Sequence, residues 1–471
     1  MSISRTTRSG GRIGRAMALA LPLLAGCATW SEQTVEARAR YAAGEFAAAE
    51  GEIDRLFARE TDVDPAVLEH PGLLARDPDA AEGNGVLLLL EKGMARLGGG
   101  DADGAIDLFR RARDELDSRY RNDVLDFVGA AVLDDAWLDY PGADSDHLLV
   151  RVLLCLSDLL LGGGDAVPYA FQIGAKQEEI LGSEFGVEQG YAPRQQYRRL
   201  AIGAYLEGVL SERTLDLGGA ERAYRRALEY AGESRLIAAA VERASTGVPV
   251  SAGRGVVHVF RLVGRGPVLV EGVAAPTTLA TRLAGLAVTL VTDRGAALAQ
   301  APVKVPVVSV TDAAVPSAPI AVDGKPVAGT ETILDVNRVA TEQLEANLPW
   351  TIARALIRRT LKATVASYLE SHLDRRNKGE VAFVTAAALN FLSTAAERAD
   401  TRSWSSLPAE LQAARLELLP GERTLAVAGA PPVTVRITPG HESFVLVLQT
   451  DPRREGVAFV DVTSRVEPPR P

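Results

Sequence analysis

Ala204-Tyr205-Leu206-Glu207-Gly208, followed after a turn at Gly218-Gly219 by Ala220-Glu221-Arg222-Ala223-Tyr224-Arg225-Arg226-Ala227-Leu228, is the stretch that decides the fold. Its apolar residues recur three and four positions apart, which places them on one face of a helix. Two such runs with glycines between them read as an antiparallel helix pair. Small residues at the crossing let the two axes approach. Residues 85–116 repeat the layout, with an apolar run at 86–90, then Gly93, a turn at Gly98-Gly99-Gly100-Asp101, and Ala105, Leu108, Phe109 and Ala112. Ala39-x-Tyr41-Ala-Ala-Gly44-Glu-Phe46-x-x-Ala49 supplies the first half of a third copy.

These degenerate, unevenly spaced copies resemble tetratricopeptide repeats. The resemblance implies a tetratricopeptide-like helical solenoid whose stacked pairs bury a continuous core and offer a concave face to peptides or partner segments. Residues 120–180 read as helical without being a clean repeat. Tyr140-Pro141-Gly142 is a strong turn signal between helical patterns at 123–138 and 146–161, and Gly162-Gly163-Gly164-Asp165 stops the second of them. Neither glycine triplet is followed by Gly-Lys-Ser/Thr, and both follow a helix, so they read as helix ends rather than phosphate loops. Asp101-Ala-Asp103-Gly104 lacks the later oxygen ligands of a calcium loop, having alanine at 105 and 112. In Asp144-Ser145-Asp146-His147 the expectation is a helix N-cap at Asp144 or Ser145, not a catalytic triad, because adjacency in sequence does not make side chains converge.

From about residue 250 the pattern changes. Residues 256–263 are β-branched and apolar, and Gly264-Arg265-Gly266-Pro267 turns the chain. Further strands are expected at 286–291 and 303–310, with a hairpin around Asp323-Gly324-Lys325-Pro326. A helix is expected from Asp335, resuming after Pro349, with Ile352 or Ala353, Leu356, Ile357, Leu361, Val365 and Leu369 on one face and Arg354, Arg358, Arg359 and Lys362 on the other. A basic amphipathic helix can lie on a membrane; packing against the sheet is the preferred reading. The uncharged run 381–396 is short for a bilayer span and reads as a buried helix. Short apolar runs around Pro420-Gly421 and Pro439-Gly440 read as antiparallel strands.

At the N-terminus, Arg5, Arg8, Arg12 and Arg15 precede an uncharged run at 16–26 that ends in Leu23-Leu24-Ala25-Gly26-Cys27. A basic region, a short apolar region and small residues before a cleavage point form the pattern of a secretory signal peptide. The run is too short for a transmembrane helix, which needs roughly 20 apolar residues. Leu24-Ala25-Gly26-Cys27 resembles the bacterial lipobox, which implies lipidation of Cys27, with palmitate-class acyl chains. Several chains make such an anchor durable, at about 0.8 kcal/mol per buried CH₂. By resemblance to enterobacterial sorting rules, Ala28 favours the outer membrane.

The 471 residues carry a formal charge of −10, so nucleic acid and bulk anionic lipid are poor partners for the body of the chain. Beyond Cys27 only Cys155 remains, which excludes an intrachain disulfide in the mature protein. The five histidines are scattered without metal-ligand spacing, and no cofactor motif is present.

Ala399-Asp400-Thr401-Arg402-Ser403-Trp404-x-x-Leu407-Pro408 is the most distinctive internal passage. With the lipobox, the region from Tyr140-Pro141 to Glu178, and Arg265-Gly266-Pro267, it resembles an uncharacterised family of bacterial tetratricopeptide-like outer-membrane lipoproteins that carry an Ala-Asp-x-Arg-x-Trp motif. One departure is Gly174-Ala-Lys176-Gln177-Glu178, where that family has an arginine-rich stretch. Asp400 and Arg402 suit a charge-assisted pair and Trp404 an apolar anchor. Together they form either a docking point or, as the preferred reading, a lock at a helix-to-strand junction.

The expected fold is multidomain, α followed by α/β. It comprises a signal peptide at 1–26, a lipidated linker at 27–36, a helical domain at 37–248, a mixed α/β domain at 249–398, a small antiparallel β-module at 399–466 and a tail at 467–471. The expected function is that of a non-enzymatic, lipid-anchored scaffold on the periplasmic face of the outer membrane. Its partners would be envelope proteins, other lipoproteins among them. Alternatives are a hydrolase or transferase acting on an envelope polymer, or a regulator of a peptidoglycan synthase.

Overall fold

The computed structural model describes residues 29–61, 63–70, 82–120, 139–292, 301–374 and 398–466, with side chains omitted at 290–292 and 361–374. Cys27, the helix expected at 123–138, the apolar run 381–396 and the tail from 467 lie outside the described residues. The class is mixed α/β.

The helical half contains α1 (Trp30–Gln33), α2 (Val35–Ala42), α3 (Phe46–Thr61), α4 (Gly85–Gly98), α5 (Ala102–Ser118), α6 (Asp144–Leu160), α7 (Ala166–Leu181), α8 (Ala201–Arg213), α9 (Leu217–Ala231) and α10 (Arg235–Thr246). From α2 onward each helix packs against the next. The sequence builds the same joint twice. In α4 and α5, Gly93 lies under the Phe109 ring; in α8 and α9, Gly208 lies under the Tyr224 ring. Ala105, Ala112, Ala220 and Ala227 are fully buried beside these crossings. Asp101 and Asp216 cap α5 and α9 identically, each accepting from a glycine N–H three residues on at 2.9 Å. The expected linker at 27–36 is folded from Trp30 onward: its ring is buried, and Nε1 donates to the Ser403 carbonyl at 3.3 Å.

The strands are β1 (Gly255–Val263), β2 (Val268–Ala274), β3 (Val303–Ser309), β4 (Pro319–Val322), β5 (Lys325–Gly329), β6 (Glu331–Asp335), β7 (Glu410–Leu418), β8 (Gly421–Val427), β9 (Val433–Ile437), β10 (Glu442–Gln449) and β11 (Val457–Val460). They form a five-stranded sheet of order β11-β10-β1-β7-β6, a four-stranded sheet of order β5-β4-β8-β9, and the β2-β3 ribbon. β1 runs parallel to β10 and antiparallel to β7. Strands from both sides of residue 398 therefore share two sheets, and those expected as a separate module at 399–466 are completed by β1, β4, β5 and β6. Such long-range pairing leaves no mark in local sequence.

β1 is buried along its whole length, because both faces of its sheet are covered. Phe260 and Leu262 point into the helical core, while Val257 and Val259 point to the four-stranded sheet, where Ile320, Leu425 and Val435 meet them. The result is three layers: helices, mixed sheet, antiparallel sheet.

Beside these layers, α12 (Val336–Asp374) packs on β3, and α11 (Thr278–Thr292) packs on α12. The strand expected at 286–291 is the end of α11. Ala280, Leu283, Ala284, Ala287 and Val288 bury one helical face, a period that a short apolar run does not reveal. α12 is continuous through Pro349 rather than resuming after it. Tyr191 donates its hydroxyl to the Ala346 carbonyl at 2.9 Å, within the turn where the proline removes a donor. Ile352, Ala353, Leu356 and Ile357 of α12 are buried against α11 and β3, which uses up the apolar face among the described side chains. No helix among the described residues is long and apolar enough to cross a membrane.

Candidate functional site

Residues 398–409 form a strap across the helical layer before β7 begins. Asp400 and Arg402 make a two-bond fork, Nε to Oδ1 at 2.9 Å and a terminal nitrogen to Oδ2 at 2.8 Å. Burial alone would raise the Asp400 carboxyl, but Arg402, with Arg354 beyond it, outweighs burial and holds it below the ordinary carboxylate range. The Arg402 guanidinium also lies over the Tyr140 ring at 5.5 Å. Trp404 is buried against Phe109, ring centroids 6.0 Å apart, and donates to the Ser406 hydroxyl at 3.1 Å. The buried Glu91 carboxylate of α4 accepts from the Ser405 N–H at 2.6 Å, its hydroxyl at 2.7 Å and the Ser406 N–H at 3.1 Å. The strap is therefore pinned to α4 by hydrogen bonds and to α5 by ring packing. Glu91 had no sequence signal; beside Lys92 it reads as an ordinary charged pair, and only its burial against Ser405 and Ser406 marks it.

The opposite wall is the entry to α6. Gly142, at φ +79°, makes the turn that Tyr140-Pro141-Gly142 foretold. The N-cap differs from expectation. Asp146 accepts from the Ala143 N–H at 3.1 Å and from the Tyr140 hydroxyl at 2.6 Å, so it caps the helix from its first turn. Asp144 is thereby released to hold Arg194 at 3.1 Å and the Tyr197 hydroxyl at 2.8 Å. Arg194 stacks on Tyr120 at 4.6 Å, and Asn347 of α12 donates to the Tyr197 hydroxyl.

Between strap, α6 entry and α12 lies a cleft of three connected lobes, about 240, 220 and 270 Å³ in volume. Arg402 and Gly142 line all three. α12 contributes Gln343, Asn347, Thr351, Arg354 and Arg358, so the side expected to face water or membrane forms a cleft wall instead. A four-residue spacing from 343 to 351 was the available signal, but periodicity cannot say what a polar face looks onto. One lobe is walled by Pro267, Leu269, Val336, Ala340, Leu344 and Leu407. Gly266 donates its N–H to the Leu407 carbonyl at 2.8 Å, and Arg265 is forked onto Asp312. Thus Tyr140-Pro141, Arg265-Gly266-Pro267 and Asp400-Arg402-Trp404, three distant passages, meet at one place.

Other buried polar groups, His147 at the edge of the cleft among them, join packed helices. His147 donates from Nε2 to the Pro141 carbonyl, 3.2 Å away, and its Nδ1 lies 3.7 Å from Asp117. Burial would raise the Asp117 carboxyl, yet His147, Arg151 and Lys176 outweigh it and hold it well below the ordinary range. Burial pushes the Cys155 thiol upward, with the charge of Asp158 adding to the effect. Among the described residues no group of three His, Cys, Asp or Glu side chains is placed to hold a metal ion. No family model, curated protein or solved structure matches the chain.

Proposed function

We propose that this chain is a lipid-anchored bacterial envelope protein that works by holding a partner, with the cleft beside the strap as the docking site. The carrying observation is the convergence of Tyr140, Pro267 and Arg402 on that one cleft. Cleft walls come from the helical layer, the β2-β3 ribbon and α12, which the strap ties into one body. In this reading the stacked helices are a tetratricopeptide-like solenoid whose joints at Gly93 and Gly208 are repeat crossings. Cys27 is the lipidated residue, and the protein sits at the periplasmic face of the outer membrane among envelope proteins and other lipoproteins. A permanent tether suits a protein whose task is to be present beside another.

The test is in-cell crosslinking and affinity capture of the lipidated chain, with Cys27→Ala as the localisation control. Envelope proteins enriched over that control support the reading. Recovery of none overturns it.

A further inference from the structure

We infer that the β2-β3 ribbon lies against the bilayer surface, an inference that rests on the lipidation of Cys27 proposed above and adds which side of the body faces lipid. The tether is short. Only Ala28 separates Cys27 from Thr29, the first described residue, and two peptide units span about 7 Å at most. Beyond Thr29 the chain has no slack. Trp30 is buried and bonded to the Ser403 carbonyl, and the Ser31 N–H donates to the Thr401 hydroxyl at 3.5 Å. The Ser403 hydroxyl in turn accepts from the Leu269 N–H of β2 at 3.2 Å, and α1 packs beside β2. Acyl chains on Cys27 would therefore enter the bilayer close to this ribbon.

The ribbon has two unlike faces. Val270 and Val307 are cross-strand partners, and strand alternation puts them on one face with Val303 and Val305. No charged residue of either strand falls on that face. Val303 and Val305 are buried in the core shared with α11 and α12, whereas Val270 and Val307 stay 37% and 43% exposed. The Val307 side chain leans across Gly272, where a Cβ would collide with its Cγ2. The other face carries Glu271 and Lys304, paired at 2.9 Å. Single exposed valines are ordinary, but an exposed cross-strand pair beside the anchor is a surface for lipid to cover. A chain of formal charge −10 suits an apolar contact better than attraction to anionic headgroups. Two valines are too few to hold a protein on a membrane; the acyl chains attach it, and the valines decide which side turns down.

The test uses the full lipidated chain in phosphatidylcholine vesicles whose acyl chains are brominated. Val307→Cys and Leu419→Cys each carry an environment-sensitive fluorophore, Cys155 being buried. Leu419 is exposed and follows the residue of β7 that pairs with Gly255. Gly255 lies about 26 Å along β1 from Val263, where the chain leaves for the ribbon, at about 3.3 Å per residue. Quenching at least about threefold stronger at position 307 than at 419 is expected. Should Val307→Cys fail to fold, Val270→Cys reads the same face. Equal quenching at the two positions, or none at 307, overturns the inference. So does a blue-shifted label at 307 without quenching, which would seat a second copy of the chain on the valines. Any of these results in a lipidated, vesicle-bound chain removes this inference and leaves the anchor standing, whereas a chain with no lipid on Cys27 removes both.

Discussion

Gly208 lies beneath the ring of Tyr224 with no room for a side chain: a Cβ there would stand 2.5 Å from Cδ1 of the ring. The ring cannot swing away, since Tyr224 is fully buried and its hydroxyl donates to Glu212 at 2.9 Å. Gly208→Ala therefore loses by overpacking more than it gains in helix propensity. The expected cost is about 1–3 kcal/mol despite a propensity gain near 1 kcal/mol. Gly51 in α3 is the contrast, for nothing lies within 4 Å of a Cβ placed there. Gly51→Ala should stabilise by about 0.5–1 kcal/mol. Urea unfolding of the two variants must give opposite signs; the same sign would mean the crossing is not built as described.

Removal of Trp404 tests the strap. Its ring fills the space beside Phe109, and its neighbours Ser405 and Ser406 hold Glu91. Trp404→Ala should cost about 3–5 kcal/mol, the range for truncating a buried large aromatic. Arg402→Lys keeps the charge and loses the fork onto Asp400, so a smaller loss of about 1–2 kcal/mol is expected. Limited proteolysis should then cut Trp404→Ala first within residues 398–409. Cleavage elsewhere at unchanged stability would show that the strap does not tie the layers.

Acid sensitivity should have an identifiable source in β7. Burial would raise the Glu417 carboxyl. The Ser251 hydroxyl at 2.6 Å, the Ser251 N–H at 3.2 Å and Arg415 at 2.8 Å outweigh burial and bring it down to about 2. A carboxyl depressed in the folded state adds stability that is complete above its unfolded pKa, about 4.3, and is lost as pH falls toward 2. After discounting for solvent screening the contribution is on the order of 1 kcal/mol. Glu417→Gln should lose that amount at pH 7 and little at pH 2.5. A variant equally destabilised at both values would assign the loss to packing rather than to charge.

The helical half was legible because its information is local. A glycine facing an aromatic across a crossing, or an aspartate three residues ahead of a glycine N–H, appears in sequence as fixed spacing. The sheet was legible only as strands. That β1 pairs with β10 and β7, each far along the chain, is decided by burial of both faces. α11 was misread because its alanines and leucines satisfy either period over six residues. Asp400 and Arg402 could be named from residue type as a charge-assisted pair and Trp404 as an apolar anchor, but their neighbours Glu91 and Tyr140 could not. The cleft was least legible. Gln343, Asn347 and Arg354 read as an ordinary polar face, and only the fold turns that face inward against Tyr140 and Leu269.

The two cysteines give a direct chemical readout of the anchor. Cys155 is fully buried in α6, its thiol donating weakly to the Ala166 carbonyl at 3.5 Å, and burial raises its pKa. Thiolate is the reactive form, so Cys155 should be inert to a thiol reagent while the protein is folded. If Cys27 carries a thioether-linked lipid, as proposed, the native mature protein then reacts at neither position. Unfolding in guanidinium exposes one thiol per chain, that of Cys155. Purified from the membrane, the chain should therefore titrate at zero reactive thiols when native and one when unfolded. Made in the cytoplasm without its lipid, it should titrate at one and two, provided Cys27 is reachable by the reagent. One reactive thiol in the native membrane form, mapped to Cys27, would refute lipidation there; mapped to Cys155, it would refute the packing of α6.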